Sequence, residues 1–390
     1  MTLSRRIAAP VVAVSAVAAL FSGVVAPAAG AGVAQVSNTS QAGGQNYPGA
    51  DIAQARILDG APADAEEPLW RETVQEKAAE YGADRVREIW TYSPSMDRNI
   101  PLVVISPPAD MGPRPVLYLL NGGDGGEGRA NWVMQTDVVE YYLDKNIHVV
   151  IPMEGAFSYY TDWVTEQPQL GGKQNWETYV VKELPRPIEQ VLNANGKRAV
   201  AGMSMSATTT LIYGQQYPDF YDAIGSYSGC AQTDRDLGRI SLDLTLDRAG
   251  TNGDAMWGPT GSPNSLRNDA LVNASLLGQV DHVYVSNASG TAGRWDVATS
   301  PRLADVPDEL RFIPMTETIL VGGVIEGATN KCTHDLKAKL EAEGINHVDW
   351  NFRNTGTHSW GYWQDDMRGS WATYARAFDL ENEADSWQYN

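Results

Sequence analysis

The chain has 390 residues, of which 43% are hydrophobic and 20% are charged, and its formal net charge is −19. The apolar content excludes intrinsic disorder of the whole chain. The acidic excess argues against nucleic-acid binding, because it repels phosphate backbones. With two cysteines and five scattered histidines, we predict no disulfide-rich scaffold, no metal site and no cofactor. Nothing in the sequence indicates an oligomer, so we expect a monomer.

The N-terminus has the three parts of a secretory signal. Arg5 and Arg6 precede an apolar run over residues 7–25, and small residues follow as far as Ala31. This order predicts a signal peptide over residues 1–31, with an uncleaved membrane anchor as the alternative. We therefore expect the protein to be secreted and to lie in the cell wall or envelope.

Export also permits a disulfide bond. Cys230 and Cys332 are the only two cysteines, and neither lies in the signal. We expect them to be bonded to each other, with two separate buried thiols as the alternative.

Residues 32–85 are predicted to form an N-terminal leader. They are rich in small and polar residues up to about residue 66, and a short helix is predicted over residues 70–81. Residues 381–390 are predicted as a C-terminal tail.

From residue 86 to residue 380, short apolar segments alternate with helical ones. This alternation predicts an α/β domain with a mostly parallel central sheet and helices on both faces. The predicted strands cover residues 87–93, 100–106, 115–120, 146–153, 198–203, 223–228, 281–286 and 347–352. The predicted helices cover residues 176–194 (interrupted by two prolines), 206–217, 316–344 and 370–380, and residues 230–280 are predicted as loops.

The segment over residues 201–207, AGMSMSA, lies between an apolar strand and a helix. A nucleophile elbow needs this setting, with small residues two positions before and after the nucleophile. Gly202 and Ser206 meet that requirement around Ser204, which we predict to be the nucleophile. The Met205 N–H would be one oxyanion donor. The alternative is an ordinary strand-to-helix turn in which Ser206 caps the helix.

A serine nucleophile needs a general base. His358 lies in the loop TGTHSW after the last predicted strand. In this fold class the catalytic residues follow the chain order serine, acid, histidine, and the histidine lies in such a loop. The other histidines lie in predicted strands or helices: His148, His282, His334 and His347. Glu326 is one candidate for the acid. Spacing does not separate it from Asp305, Asp308, Glu317 and Asp335.

A second oxyanion donor is expected in the loop after the strand over residues 115–120. That loop, LNGGDGG, is rich in glycine, which lets the backbone approach a carbonyl closely. We predict the Gly123 N–H as this donor. The alternative is a flexible surface loop.

Eight segments in the same order carry a family resemblance over roughly residues 86–378. The chain resembles the secreted mycolyltransferases of the antigen 85 type, a branch of the α/β hydrolases. The segments are SPSMDR at 93–98, LYLLNG at 117–122, YYTDW at 159–163, WET at 176–178, GMSMS at 202–206, MWGP at 256–259 with RND at 267–269, and GTHSW at 356–360.

The resemblance implies an α/β-hydrolase fold and a Ser–Glu–His triad. Ser204 and His358 match directly, and the family's glutamate segment matches Ile325-Glu326-Gly327, which selects Glu326. The family's oxyanion pair corresponds to Met205 and Gly123. The implied reaction moves mycolate from trehalose monomycolate to the serine and then to an acceptor hydroxyl.

The chain departs from the family in the loop after the oxyanion strand. The family usually has an aspartate followed by Gly-Leu-Arg there, and its aspartate and arginine contact the sugar; this chain has Asn121 and Asp124 in that loop. The acceptor therefore stays open among trehalose monomycolate, arabinogalactan and an envelope protein. Asn121 and Asp124 are substrate-contact candidates, as are Ser359 and Trp360 beside the histidine. A secreted carboxylesterase and a non-catalytic envelope-binding protein are the alternative functions.

Overall fold

A nine-stranded sheet runs through the residues that the structure, a computed structural model, describes (47–381). The predicted signal peptide and nearly all of the predicted tail lie outside these residues. The strands are β1 (Arg56–Ile57), β2 (Val86–Ser93), β3 (Arg98–Ile105), β4 (Arg114–Leu120), β5 (His148–Pro152), β6 (Ala194–Met203), β7 (Ala223–Tyr227), β8 (His282–Ala288) and β9 (Asp349–Arg353).

The spatial order of the strands is β1-β2-β3-β5-β4-β6-β7-β8-β9. The six strands from β5 to β9 in this order run parallel, whereas β1, β2 and β3 form an antiparallel edge. The sequence prediction of a mostly parallel sheet is therefore confirmed. The carboxyl ends of β6, β8 and β9 meet at one edge, where ligands bind in open α/β sheets.

Helices cover both faces of the sheet. They are α1 (Leu69–Tyr81), α2 (Trp132–Gln135), α3 (Val138–Leu143), α4 (Pro185–Leu192), α5 (Met205–Gln216), α6 (Asp236–Asp247), α7 (Gly253–Trp257), α8 (Pro263–Arg267), α9 (Phe312–Glu317), α10 (Gly323–Ala342), α11 (Trp360–Gly369) and α12 (Trp371–Ala377). Two π-helical segments, Thr178–Glu183 and Thr318–Gly322, precede α4 and α10.

Strand β4 shows how the sheet divides the core. Tyr118 and Leu120 belong to one buried cluster, which also contains residues of α4, α5 and α10. Leu117 and Leu119 belong to a second cluster, with residues of α1, α3 and α12. Because successive side chains of a strand point to opposite faces, a strand covered on both sides must be apolar throughout. This is why β4 has no hydrophobic–polar alternation.

Three predicted elements differ from the observed ones. The helix predicted over residues 176–194 is interrupted at the prolines, as expected, but its first part is the π-helical segment Thr178–Glu183. Pro185 begins α4, a position where its missing N–H costs nothing. The region predicted as loops contains α6, whose face with Leu242 and Leu246 is buried. The helix α11 also follows the histidine loop directly, where none was predicted.

Part of the predicted leader belongs to the sheet. Strand β1 pairs antiparallel with β2, and Ala55 beside it is buried. Helix α1 appears where a helix was predicted and buries Trp70 and Val74. A domain boundary at residue 86 stays a prediction. Within the described residues, no helix has both the length and the apolar character needed to cross a membrane.

Candidate active site

Ser204 lies at the sharp turn between β6 and α5. Its backbone has φ 56° and ψ −118°, a conformation that a non-glycine residue adopts only under strain. A Cβ at Gly202 would overlap Ser206, so the turn requires glycine there. The Ser206 hydroxyl accepts a hydrogen bond from Met203 N (3.0 Å) and does not cap the helix. The local structure is thus the strained strand–turn–helix that the predicted nucleophile elbow requires.

The structure brings three of the predicted residues into one hydrogen-bonded chain. The Ser204 hydroxyl lies 2.7 Å from His358 Nε2, and His358 Nδ1 lies 2.8 Å from Glu326 Oε2. In this arrangement Nδ1–H donates to the carboxylate, which leaves Nε2 to accept the serine proton. The geometry selects Glu326 among the acids that spacing left open.

The Glu326 side chain is 0% exposed. Its second oxygen, Oε1, accepts hydrogen bonds from Ser228 Oγ (2.9 Å) and from Ala288 N (2.7 Å). A buried carboxylate is costly unless it is paired and hydrogen-bonded. These donors from the ends of β7 and β8 compensate the charge and fix the carboxylate toward the histidine.

The histidine loop is held by residues that sequence reasoning missed. Asp296 accepts hydrogen bonds from Thr357 Oγ1 (2.7 Å) and from the Tyr362 hydroxyl (2.6 Å). The His358 N–H donates to Gly322 O (3.0 Å), just before α10. These bonds join the histidine loop and α11 to the segment after β8, and join the loop to the start of α10. No sequence motif marks Asp296.

The two predicted oxyanion donors lie in two different segments of the chain. Met205 is the first residue of α5, and Gly123 follows β4 in the glycine-rich loop. Neither N–H donates a hydrogen bond to another part of the described chain. The Gly123 carbonyl accepts from Phe157 N (2.8 Å), which fixes the loop. Backbone N–H groups at a helix start suit a developing negative charge.

Asn121 does not fit its predicted role as a substrate contact. Its side chain is fully buried. The amide nitrogen donates to Pro152 O (2.8 Å), and the amide oxygen accepts from Trp132 N (3.2 Å). Both polar atoms are therefore used in fixing the loop, and a substrate would find no exposed surface on this residue.

Asp124 lies in the same loop and is partly exposed, so it stays a candidate for substrate contact. Burial raises the pKa of Asp124, while backbone N–H groups and Arg248 act in the opposite direction. Arg248, at the end of α6, places Nη1 4.0 Å from where a side chain at Gly123 would begin. Its guanidinium lies 5.3 Å from the ring centre of Phe157. Sequence reasoning missed both residues, because they lie far from the loop along the chain.

Ser359 and Trp360 follow the histidine. Ser359 is the N-cap residue of α11, and its hydroxyl lies 3.3 Å from Thr357 Oγ1. The Trp360 ring packs edge to face against Trp132 (5.5 Å between ring centres) and against Trp363 (5.2 Å). Trp360 is half-buried, so part of its ring remains accessible for contact with a substrate.

The two cysteines form a disulfide bond, with Cα atoms 5.0 Å apart. Cys332 lies on α10, the helix that also carries Glu326, and Cys230 follows Ser228 closely along the chain. The bond therefore fastens the acid-bearing helix to the end of β7. Among the described residues, no group of His, Cys, Asp and Glu side chains is arranged to hold a metal ion.

Residues 93–374 match the Esterase family, described as "Putative esterase". The chain is 30% identical over 282 residues to diacylglycerol acyltransferase/mycolyltransferase Ag85B of Mycolicibacterium smegmatis, which covers 70% of this chain and 78% of the relative. It is 28% identical over 281 residues to the Ag85A protein of the same description from Mycobacterium leprae, covering 70% and 78%. The chain belongs to the antigen 85-like esterase family. The predicted family resemblance is confirmed.

Solved structures show the same fold. MPT51 (FbpC1) of Mycobacterium tuberculosis aligns with a TM-score of 0.56 at 21% identity, covering 75% of this chain and 96% of that one. An S-formylglutathione hydrolase from Agrobacterium tumefaciens aligns with a TM-score of 0.51 at 13% identity, covering 77% and 96%. The predicted α/β-hydrolase fold of this antigen 85-like protein is confirmed.

Proposed function

We propose that this protein is a serine-dependent acyltransferase that moves mycolate from trehalose monomycolate to an acceptor hydroxyl. The observation that carries the proposal is the hydrogen-bonded chain from Glu326 through His358 to Ser204, with distances of 2.8 and 2.7 Å. The relatives named diacylglycerol acyltransferase/mycolyltransferase support the substrate class.

In the first half-reaction, His358 Nε2 takes the Ser204 proton as Oγ attacks the ester carbonyl. The Gly123 and Met205 N–H groups stabilise the tetrahedral oxyanion. The imidazolium, held by Glu326, then gives its proton to the departing trehalose oxygen. Mycolate is left as an ester on the serine.

In the second half-reaction, His358 takes the proton of the acceptor hydroxyl, which attacks the acyl-enzyme and releases the serine. Transfer exceeds hydrolysis when the acceptor hydroxyl is placed better than water. We place the acceptor's polar headgroup beside Asp124 in the glycine-rich loop and Arg248 next to that loop. Trehalose monomycolate, arabinogalactan and an envelope protein all present suitable hydroxyls. We propose that the predicted signal exports the enzyme and that it acts in the cell envelope as a monomer.

A carboxylesterase is the second candidate. The loop that carries the sugar-binding arginine in the family has an acid here, Asp124. A site that holds an acceptor sugar poorly would release free acid to water.

The decisive experiment compares the chain from residue 32 with its Ser204→Ala variant. Both are incubated with trehalose monomycolate, alone and with candidate acceptors, and every mycolate-bearing product is identified by mass spectrometry. Ser241→Ala on α6, at a partly exposed serine, is the matched control. We expect acyl transfer in the wild type and the control, and a loss of about 10⁶-fold in Ser204→Ala, as for other serine nucleophiles.

The products separate the candidates. Trehalose dimycolate or a mycolated acceptor would support transfer. Free mycolate alone, whatever acceptor is offered, would mean that the protein is an esterase. The proposal fails if no product depends on Ser204. A fluorophosphonate probe that left Ser204 unlabelled in the folded protein would instead support a non-catalytic, envelope-binding role.

A further inference from the structure

Residues 310–325 form a helical segment with a mostly apolar surface, here called the apolar arm. It comprises α9, the π-helical segment Thr318–Gly322 and the start of α10. Seven of its large apolar side chains are exposed: Leu310, Phe312, Ile313, Leu320, Val321, Val324 and Ile325.

The apolar arm lacks the packing that normally stabilises a short helix. Isolated helices of this length are marginal in water, and in folded proteins burial of one face holds them. Yet α9 has no buried residue, and Phe312 is 58% exposed. In the π-helical segment only Gly322 is buried, and Leu320 is 64% exposed. Exposed apolar side chains grouped in one segment in this way mark an interaction surface.

The arm is rooted in the candidate active site. Gly322 O accepts the hydrogen bond from the His358 N–H at 3.0 Å. Glu326 follows the arm's last residue, Ile325, directly. A surface that the arm contacts would therefore lie beside the entrance to the catalytic serine.

Charge distinguishes between possible lipid surfaces. The arm has two charged side chains, Arg311 and Glu317, and Arg311 already pairs with Asp308 at 2.7 Å. The whole chain has a net charge of −19. An anionic lipid surface would repel such a protein, since binding to it depends on clusters of Lys and Arg. The apolar arm thus fits an uncharged lipid surface.

We propose that the apolar arm docks the enzyme on the surface of an uncharged lipid layer, with its apolar side chains among the acyl chains. This inference rests on the proposed function in one respect: a substrate with a long acyl chain resides in such a layer. Docking through the arm holds the serine at the depth where the ester group lies. Interfacial helices bind in this way, by burying apolar side chains at the acyl boundary.

The test measures binding to vesicles by flotation, without catalysis. The protein is the chain from residue 32, because the apolar signal would itself bind lipid. The arm variant carries Phe312→Ser, Ile313→Ser and Leu320→Ser. The matched control carries Leu69→Ser, Val191→Ser and Val272→Ser, at exposed apolar positions outside the arm. The vesicles are phosphatidylcholine alone or phosphatidylcholine with phosphatidylglycerol.

We expect the wild type and the control to float with phosphatidylcholine vesicles and the arm variant to bind about ten-fold less. Added phosphatidylglycerol should weaken binding. Hydrolysis of a short soluble ester and the thermal midpoint should be equal in all three proteins, which shows that the arm variant is folded.

Equal binding of the arm variant and the wild type would overturn the proposal, as would failure of the wild type to bind. A wild-type dimer that the arm variant converts to a monomer would assign the arm to a second copy of the chain instead. Vesicle binding that persists in Ser204→Ala, beside a failure of all acyl transfer, would separate docking from the proposed reaction.

Discussion

The backbone of Ser204 is strained, with φ 56° and ψ −118°, and this strain has a use at the scale of a single residue. It places the hydroxyl at the end of β6, 2.7 Å from His358 Nε2. Small residues at positions 202 and 206 allow the turn, so the local sequence alone predicts Ser204 as the nucleophile. Glu326 differs, because only its contacts separate it from neighbouring carboxylates.

Glu154, just after β5, gives a prediction at the same scale. Burial raises the pKa of this carboxyl, Arg98 acts to lower it and Glu127 acts to raise it. The resulting pKa is about 8. Between its ordinary value of 4.5 and about 8, the folded protein holds a proton that the unfolded chain releases, so this group makes stability fall as pH rises. Glu154→Gln removes this pH dependence. As the pH rises through this window, the free energy of unfolding of the variant therefore increases relative to that of the wild type by up to about 1.4 kcal/mol per pH unit.

Urea unfolding between pH 4.5 and 8 measures this difference. Glu166→Gln, at an exposed glutamate, is the control and should follow the wild-type profile. If the profiles of Glu154→Gln and wild type ran parallel, the proton on Glu154 would make no contribution to stability.

At the scale of elements, α10 carries Glu326, the proposed catalytic acid. Its sequence predicts a long helix, but nothing in the pattern indicates that the helix continues a π-helical segment or that Gly322 bonds to the histidine loop. The disulfide joins α10 to the end of β7, and Ser228 from the same region binds Glu326 at 2.9 Å. The acid is thus held by two neighbouring attachments, one covalent.

Replacing both cysteines by alanine tests this attachment. We expect the free energy of unfolding to fall by about 2–5 kcal/mol, since the bond closes a loop of roughly 100 residues. We also expect kcat to fall more than KM rises, because Glu326 acts through His358 and not on the bound substrate. Guanidinium unfolding and steady-state kinetics check the two effects.

A reductant supplies the control for that variant. The reductant should lower the free energy of unfolding and the kcat of the wild type in the same way. It should leave both quantities unchanged in the double variant. Full stability and full kcat in the double variant would show that hydrogen bonds alone hold the helix.

At the scale of the whole molecule, the segment before β2 completes the sheet and the core. Tyr47 donates to Glu189 Oε2 at 2.9 Å, and Glu189 also pairs with the buried Arg198. Trp70 and Val74 on α1 lie in the same apolar cluster as the strands. Composition alone suggests a loose leader over this region, because many of its residues are polar. A few apolar contacts are nevertheless enough to attach it to the core.

Truncation tests whether the domain includes this segment. A chain that begins at Val86 loses Trp70 and Val74 and should be less stable than one that begins at Tyr47 by about 3–6 kcal/mol, from the two buried side chains alone. A chain that begins at Glu67 keeps α1 and should fall between them. Urea midpoints rank the three, and equal midpoints would place the domain boundary at residue 86.

The sequence by itself determined the alternation of strands and helices, the elbow around Ser204 and the loop of His358, because these features depend on neighbours within a few residues along the chain. Tertiary structure alone decided the rest. It selected Glu326 by hydrogen bonds from β7 and β8, assigned Asn121 to the interior, and brought Arg248 to the oxyanion loop. It also left the apolar arm exposed. Each of these outcomes depends on contacts between distant segments, and the same side chains in another packing would be buried, paired or solvated differently.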